Sequence, residues 1–101
     1  MPIRRNNYRL SPRAEGDLEE IWLYTYSTWS LEQADQYHDE IMTAIAVLAS
    51  APGLGQMLDH IRPGYRRYRS GSHFIFYRQV SDGGIEIIRI LHQQMDFGSH
   101  L

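Results

Sequence analysis

The longest regular pattern in this chain is the series Ala14, Leu18, Ile21, Trp22, Tyr26 and Trp29. Steps of three and four residues place them on one face of a helix, which the pattern predicts to reach Thr28. Ser11-Pro12 marks its start: the Ser side chain can accept from an early backbone N–H, and Pro at the first helical position gives up no bond it would have made. Glu15 and Asp17 suit the positive end of the helix dipole. Ser30, with Gln33 three residues on, reads as a capping box that opens a second helix. Its stripe is Ala34, Tyr37, Ile41, Ala44, Ile45 and Leu48, and Pro52-Gly53 stops it. So short a connection predicts an antiparallel helical hairpin.

Elsewhere the pattern alternates. Ile3–Leu10 is a weakly alternating first strand, with Ile3, Tyr8 and Leu10 as its apolar members. Tyr65–Ser70, Phe74–Val80 and Ile85–Leu91 are three more. Asp82-Gly83-Gly84 is the strongest turn signal, because a tight hairpin needs residues that tolerate positive φ, and Gly71-Ser72 is a weaker second one. Residues 51–63, with two glycines and two prolines, read as a loop. Its Gly53-Leu54-Gly55 is no phosphate loop, since no strand precedes it and no Gly-Lys-Ser/Thr follows. The predicted fold is α+β, a single domain over residues 1–101. It comprises an N-terminal strand, an antiparallel helical hairpin, then a three-stranded antiparallel meander. The mostly antiparallel sheet is covered on one face by the two helices and its opposite face is free.

In the last strand, strict alternation puts Ile85, Ile87, Arg89 and Leu91 on one side and Glu86, Ile88, Ile90 and His92 on the other. Both sets are largely apolar, so the side that meets the helices stays open. Arg89 is the odd member, because an unpaired arginine in an Ile-Ile-Arg-Ile-Leu run is costly to bury. It calls for an acid on a helix or a role at a partner site.

With 101 residues the chain can bury one modest core. The absence of cysteine excludes disulfides and thiolate zinc sites. No apolar run reads as a signal peptide or a membrane span, so a cytoplasmic protein without membrane contact is expected. The net charge of −2 argues against direct nucleic-acid binding. That sum hides a segregation: eight acids fall between Glu15 and Glu40, while six of the ten arginines (Arg62, Arg66, Arg67, Arg69, Arg78 and Arg89) fall in the predicted sheet or just before it. There is no lysine.

Arg66, Arg67 and Arg69, interleaved with Tyr65 and Tyr68, read as a basic and aromatic patch suited to phosphates or acidic partners. With Arg89 and His92 they are the candidate target-binding residues. His92 is the one histidine near that patch able to act as an acid or base. The five histidines are scattered without ligand spacing, so neither a metal nor another cofactor is expected. Leu23, Tyr24 and Trp29 lie on or beside the first helix's apolar stripe, which Leu18, Ile21 and Trp22 already supply on its inner face. They are candidates for a groove that takes a partner's amphipathic segment.

Three stretches, YRLSPRAEGDLEEIWLY at residues 8–24, RPGYRRYRSGSHFIFYR at 62–78 and IIRILHQQMD at 87–96, resemble in order and spacing the toxin subunits of the RelE/ParE toxin–antitoxin superfamily, within it the ParE branch. The resemblance implies the same strand, helical hairpin and terminal sheet. It also implies a partner, a ParD-like antitoxin whose C-terminal region folds over the toxin in a hetero-oligomer. ParE-like toxins block DNA gyrase by binding, have no active site, and serve in growth arrest and plasmid maintenance. RelE-like relatives are ribosome-dependent mRNA endonucleases, for which this chain offers Arg67, Arg89 and His92 as a catalytic set. A third implication is a relative that binds its antitoxin but has lost toxicity. The expected charge match is an antitoxin that presents acids to the arginines and apolar residues to the helices.

Overall fold

The structure is a computed structural model and describes residues 7–101. Of the first predicted strand, β1 (Tyr8–Leu10) is described, and residues 3–6 lie outside the described part. Ser11 caps α1 (Pro12–Thr28) by accepting from the Ala14 N–H at 3.0 Å, and its hydroxyl donates to the Ile88 carbonyl at 2.7 Å. One side chain thereby starts the helix and fastens it to the sheet. Ser30 caps α2 (Leu31–Ser50) by accepting from the Gln33 N–H at 3.1 Å.

The 51–63 segment is more ordered than a loop. It forms a 3-10 turn at Pro52–Leu54 and a two-residue strand, β2 (Gln56–Met57), before β3 (Tyr65–Ser70), β4 (His73–Gln79) and β5 (Ile85–His92). The sheet has five strands in the order β1-β5-β4-β3-β2, antiparallel except for the parallel β1–β5 pair. Ser70 pairs with His73, so Gly71-Ser72 is a true two-residue hairpin loop, with Gly71 at φ 60° in its first position. The Asp82-Gly83-Gly84 turn forms where expected but sits in a longer loop, closed by the Val80 N–H donating to the Gly84 carbonyl at 2.9 Å.

One irregularity sets the faces. The β4–β5 register pairs Phe76 with Arg89 but Tyr77 with Ile87, so Ile88 is a bulge. Side-chain alternation inverts there. Ile85, Ile87 and Ile90 face the helices beside Ile75 and Tyr77 and pack with Ile41, Ile45 and Leu48 of α2. Arg89 and Leu91 turn to the far face, so the strict alternation read from the sequence fails after Ile87.

The far face is not bare. Phe76, Leu91 and Leu58 are buried there under Phe97 and Leu101 of the C-terminal segment, which forms a 3-10 turn at Phe97–Ser99. Its cover is aromatic stacking and one turn, which leave no periodicity in the sequence to read.

Candidate functional site

The four candidate arginines and the candidate histidine do not form one patch. By register, Arg67 and Arg69 lie with Phe76 and Phe74 on the far face, while Arg66 lies opposite Tyr77 on the helix side. There Arg66 donates to the carbonyls of Gly53 (3.3 Å) and Gly55 (2.8 Å), tying down the turn after α2. Tyr77 fastens the same turn: its hydroxyl donates to the Pro52 carbonyl at 2.7 Å and accepts from the buried Gly55 N–H at 2.8 Å. A side chain at position 55 would collide with that hydroxyl. Arg66 thus belongs to the fold, which splits the triple-arginine patch.

Arg67 stacks its guanidinium over the Phe74 ring at 4.2 Å and the Phe97 ring at 5.2 Å, and its Nε donates to Gln56 Oε1 at 3.0 Å. Arg69, exposed, donates its Nε to the Gly71 carbonyl at 3.0 Å. These two present donors on the far face.

Arg89 is held by Asp17 of α1. Its Nε and Nη2 each donate to a different oxygen of the Asp17 carboxylate at 2.8 Å, and Asp17 Oδ2 also accepts from the Ile90 N–H at 2.9 Å. The side chains are 14% and 9% exposed. The hydrogen bonds it donates to Asp17 hold Arg89 above the usual arginine range, more firmly charged. The acid the sequence called for sits on α1, along the edge of β5 beyond the end of the short β1.

His92 pairs with His73 across β4–β5, on the helix side. Their rings meet edge to face at 5.4 Å, and His73 Nδ1 lies 2.6 Å from the Tyr37 hydroxyl of α2. That hydroxyl also accepts from the Ser72 N–H at 3.0 Å. Burial, aided by the neighbouring His92 and opposed by Asp17, lowers His73 to about 4, so the ring is neutral at neutral pH. Sequence reasoning missed the Tyr37–His73 pair, because it links helix and strand residues 36 positions apart.

Tyr37, His73, His92 and Arg89 open onto a cleft of about 690 Å³ between the open side of the hairpin and β5. Ile21, Tyr24 and Trp29 complete its apolar wall, and Met95 lines it from beyond β5. Tyr24 and Trp29 are each 68% exposed, whereas Leu23, also exposed, points away and does not line the cleft. A residue one step along a helix is turned by about 100°. Among the described residues, no three potential metal-ligating side chains cluster, and no helix is long and apolar enough to cross a membrane.

Residues 8–97 match the family model described as ParE toxin of type II toxin-antitoxin system, parDE. The chain belongs to the ParE toxin family. It is 47% identical to Toxin ParE1 of Mycobacterium tuberculosis (strain H37Rv) over 96 residues, which cover 95% of this chain and 98% of the relative. Toxin ParE1 of Caulobacter vibrioides is 48% identical over 94 residues, 93% of this chain and 96% of that one. Among solved structures, the chromosomal ParDE TA system from P. aeruginosa superposes with a TM-score of 0.73 at 21% identity, covering 87% of this chain and 96% of that one. At that identity the likeness shows the shared fold. The five-stranded sheet with a helical hairpin on one face is thus the fold this chain shares with that structure.

Proposed function

We propose that this ParE toxin arrests growth by binding DNA gyrase, without catalysis, and that a ParD-like antitoxin neutralises it by forming a hetero-oligomer. The observation that carries the choice of binding over catalysis is the separation of the candidate catalytic set. Arg67 is stacked on the far face, His92 is turned to the helix side, and the Arg89 donors Nε and Nη2 are spent on Asp17. An in-line ribose cleavage needs a base, an acid and cations at one phosphate, within hydrogen-bond reach of the reacting atoms. A binding inhibitor needs only a rigid scaffold with donors and apolar anchors at its surface, and Arg67, Arg69, Tyr24 and Trp29 supply those.

The test is induction of the chain in cells without antitoxin. Growth arrest with a DNA-damage response supports the gyrase reading. Arrest with cleaved mRNA and no damage response supports the endonuclease alternative, and normal growth identifies a non-toxic relative.

A further inference from the structure

We infer that Arg67 and Arg69 form a receptor for two neighbouring phosphates of a nucleic-acid strand, and that this strand is the DNA held by gyrase. The source of the strand rests on the gyrase reading above, whereas the receptor itself rests on geometry.

Tyr65, Arg67 and Arg69 alternate along β3 and share the far face. Alternate residues of a strand lie about 7 Å apart, a step that neighbouring phosphates of one flexible strand can follow. Both guanidiniums are aimed from behind. Arg67 is stacked over Phe74 and Phe97 with its Nε on Gln56 Oε1, and the Nε of Arg69 is tied to the Gly71 carbonyl. Among the described residues neither forms an ion pair, which leaves their Nη groups for a ligand. A guanidinium edge held in this way donates two parallel hydrogen bonds to one phosphate. Arg78, on the same face, is already committed, with its Nε and Nη2 on Glu86 Oε1 at 3.0 and 2.9 Å.

Two further observations favour a phosphate strand over an acidic protein segment. A protein partner draws most of its affinity from apolar anchors that it desolvates. The far-face cluster offers few: Leu58, Phe76 and Leu91 are buried, and Phe74 and Phe97 lie partly buried under Arg67. Tyr65, partly buried on the same stripe, adds a ring on which a base can stack. The net charge of −2 does not describe this face, because the eight acids of residues 12–50 belong to the two helices across the sheet. Two phosphate contacts give weak binding on their own, and contact with gyrase supplements them.

The experiment has two arms. In the first, the purified chain is titrated into a fluorescein-labelled single-stranded DNA 12-mer and read by anisotropy at 50 and 200 mM salt. The variants are Arg67→Ala/Arg69→Ala, Arg67→Lys/Arg69→Lys and, on α1, Arg13→Ala, each checked for an unchanged melt. The parent should bind about sevenfold more weakly at the higher salt, as release of counterions from two phosphates requires. The Ala pair should lose at least tenfold at 50 mM, the Lys pair should fall between it and the parent, and Arg13→Ala should bind like the parent. Equal binding by the Ala pair or by the Lys pair overturns the receptor, as does a polyglutamate peptide of the same charge that competes as well as unlabelled DNA.

In the second arm, binding to immobilised gyrase is compared with and without a bound DNA duplex. DNA should tighten binding of the parent, and the Ala pair should lose that gain. Binding to gyrase that DNA leaves unchanged overturns the inference and leaves the gyrase reading standing. Oligonucleotide binding that needs both arginines, in a chain that ignores gyrase with or without DNA, overturns the gyrase reading and keeps the receptor.

Discussion

Asp17 on α1 and Arg89 on β5 form a two-pronged ion pair across 72 positions of sequence, and the same carboxylate accepts the Ile90 N–H. The short β1 pairs β5 only as far as Ile87, and Ser11 continues along that edge by taking the Ile87 and Ile88 carbonyls. Asp17 then does for the β5 edge what a longer neighbouring strand would do. Asp17→Ala leaves a mostly buried guanidinium without its counter-ion and the buried Ile90 N–H without a partner, and we expect a loss of about 3 kcal/mol in urea unfolding. Asp17→Asn, which keeps an acceptor, should lose less. Asp17→Leu with Arg89→Met should recover part of the Ala loss, because no charge is then stranded.

The hairpin and its caps were legible because they rest on local physics: a hydroxyl within reach of the third N–H and a stripe of period 3.6. Arg89 was legible as a residue in need of an acid. What escaped the sequence was long-range or irregular. The bulge at Ile88 inverts the faces without any residue type that marks it, and β2 exists only because Gln56 and Met57 meet Arg67 and Arg66 across the edge. Parity alone separates Arg66 from Arg67 and Arg69, but which of the two faces meets the helices, and what Arg66 finds there, depends on the turn after α2.

The pH dependence of stability should show His73. Its folded-state value, about 4, lies below the unfolded value of 6.5, so the unfolded chain binds the extra proton. Stability is therefore complete above about 6.5 and falls as pH drops toward 4. Solvent screening of this partly exposed ring holds the loss to about 1 kcal/mol. Urea midpoints at pH 7.0, 5.5 and 4.5 should drop for the parent chain, and His73→Gln should remove that part of the drop.

The C-terminal segment is expected to be structural. Phe97 stacks on Phe76 at 5.3 Å and Arg89 Nη1 donates to the His100 carbonyl at 3.4 Å. Phe97→Ala should cost about 1–2 kcal/mol, and removal of the residues after Gln93 more, since it uncovers Phe76 and Leu91. A truncated chain whose melt matched the parent's would contradict this.

The arginines should divide by face. Arg66→Ala frees two carbonyls of the 52–55 turn and should destabilise by about 1–2 kcal/mol. Arg67→Ala with Arg69→Ala should change stability by about 1 kcal/mol at most, the cost of the lost ring stacking. The same double variant should weaken gyrase inhibition. Melting curves and inhibition titrations of the two variants separate the roles.

The most direct test of the account is DNA supercoiling by purified gyrase in the presence of this chain, run beside ribosome-dependent mRNA cleavage. The account predicts that the chain inhibits supercoiling, that stoichiometric antitoxin restores it, and that mRNA stays intact. Undisturbed supercoiling with cleavage of ribosome-bound mRNA, abolished by His92→Ala, would contradict it.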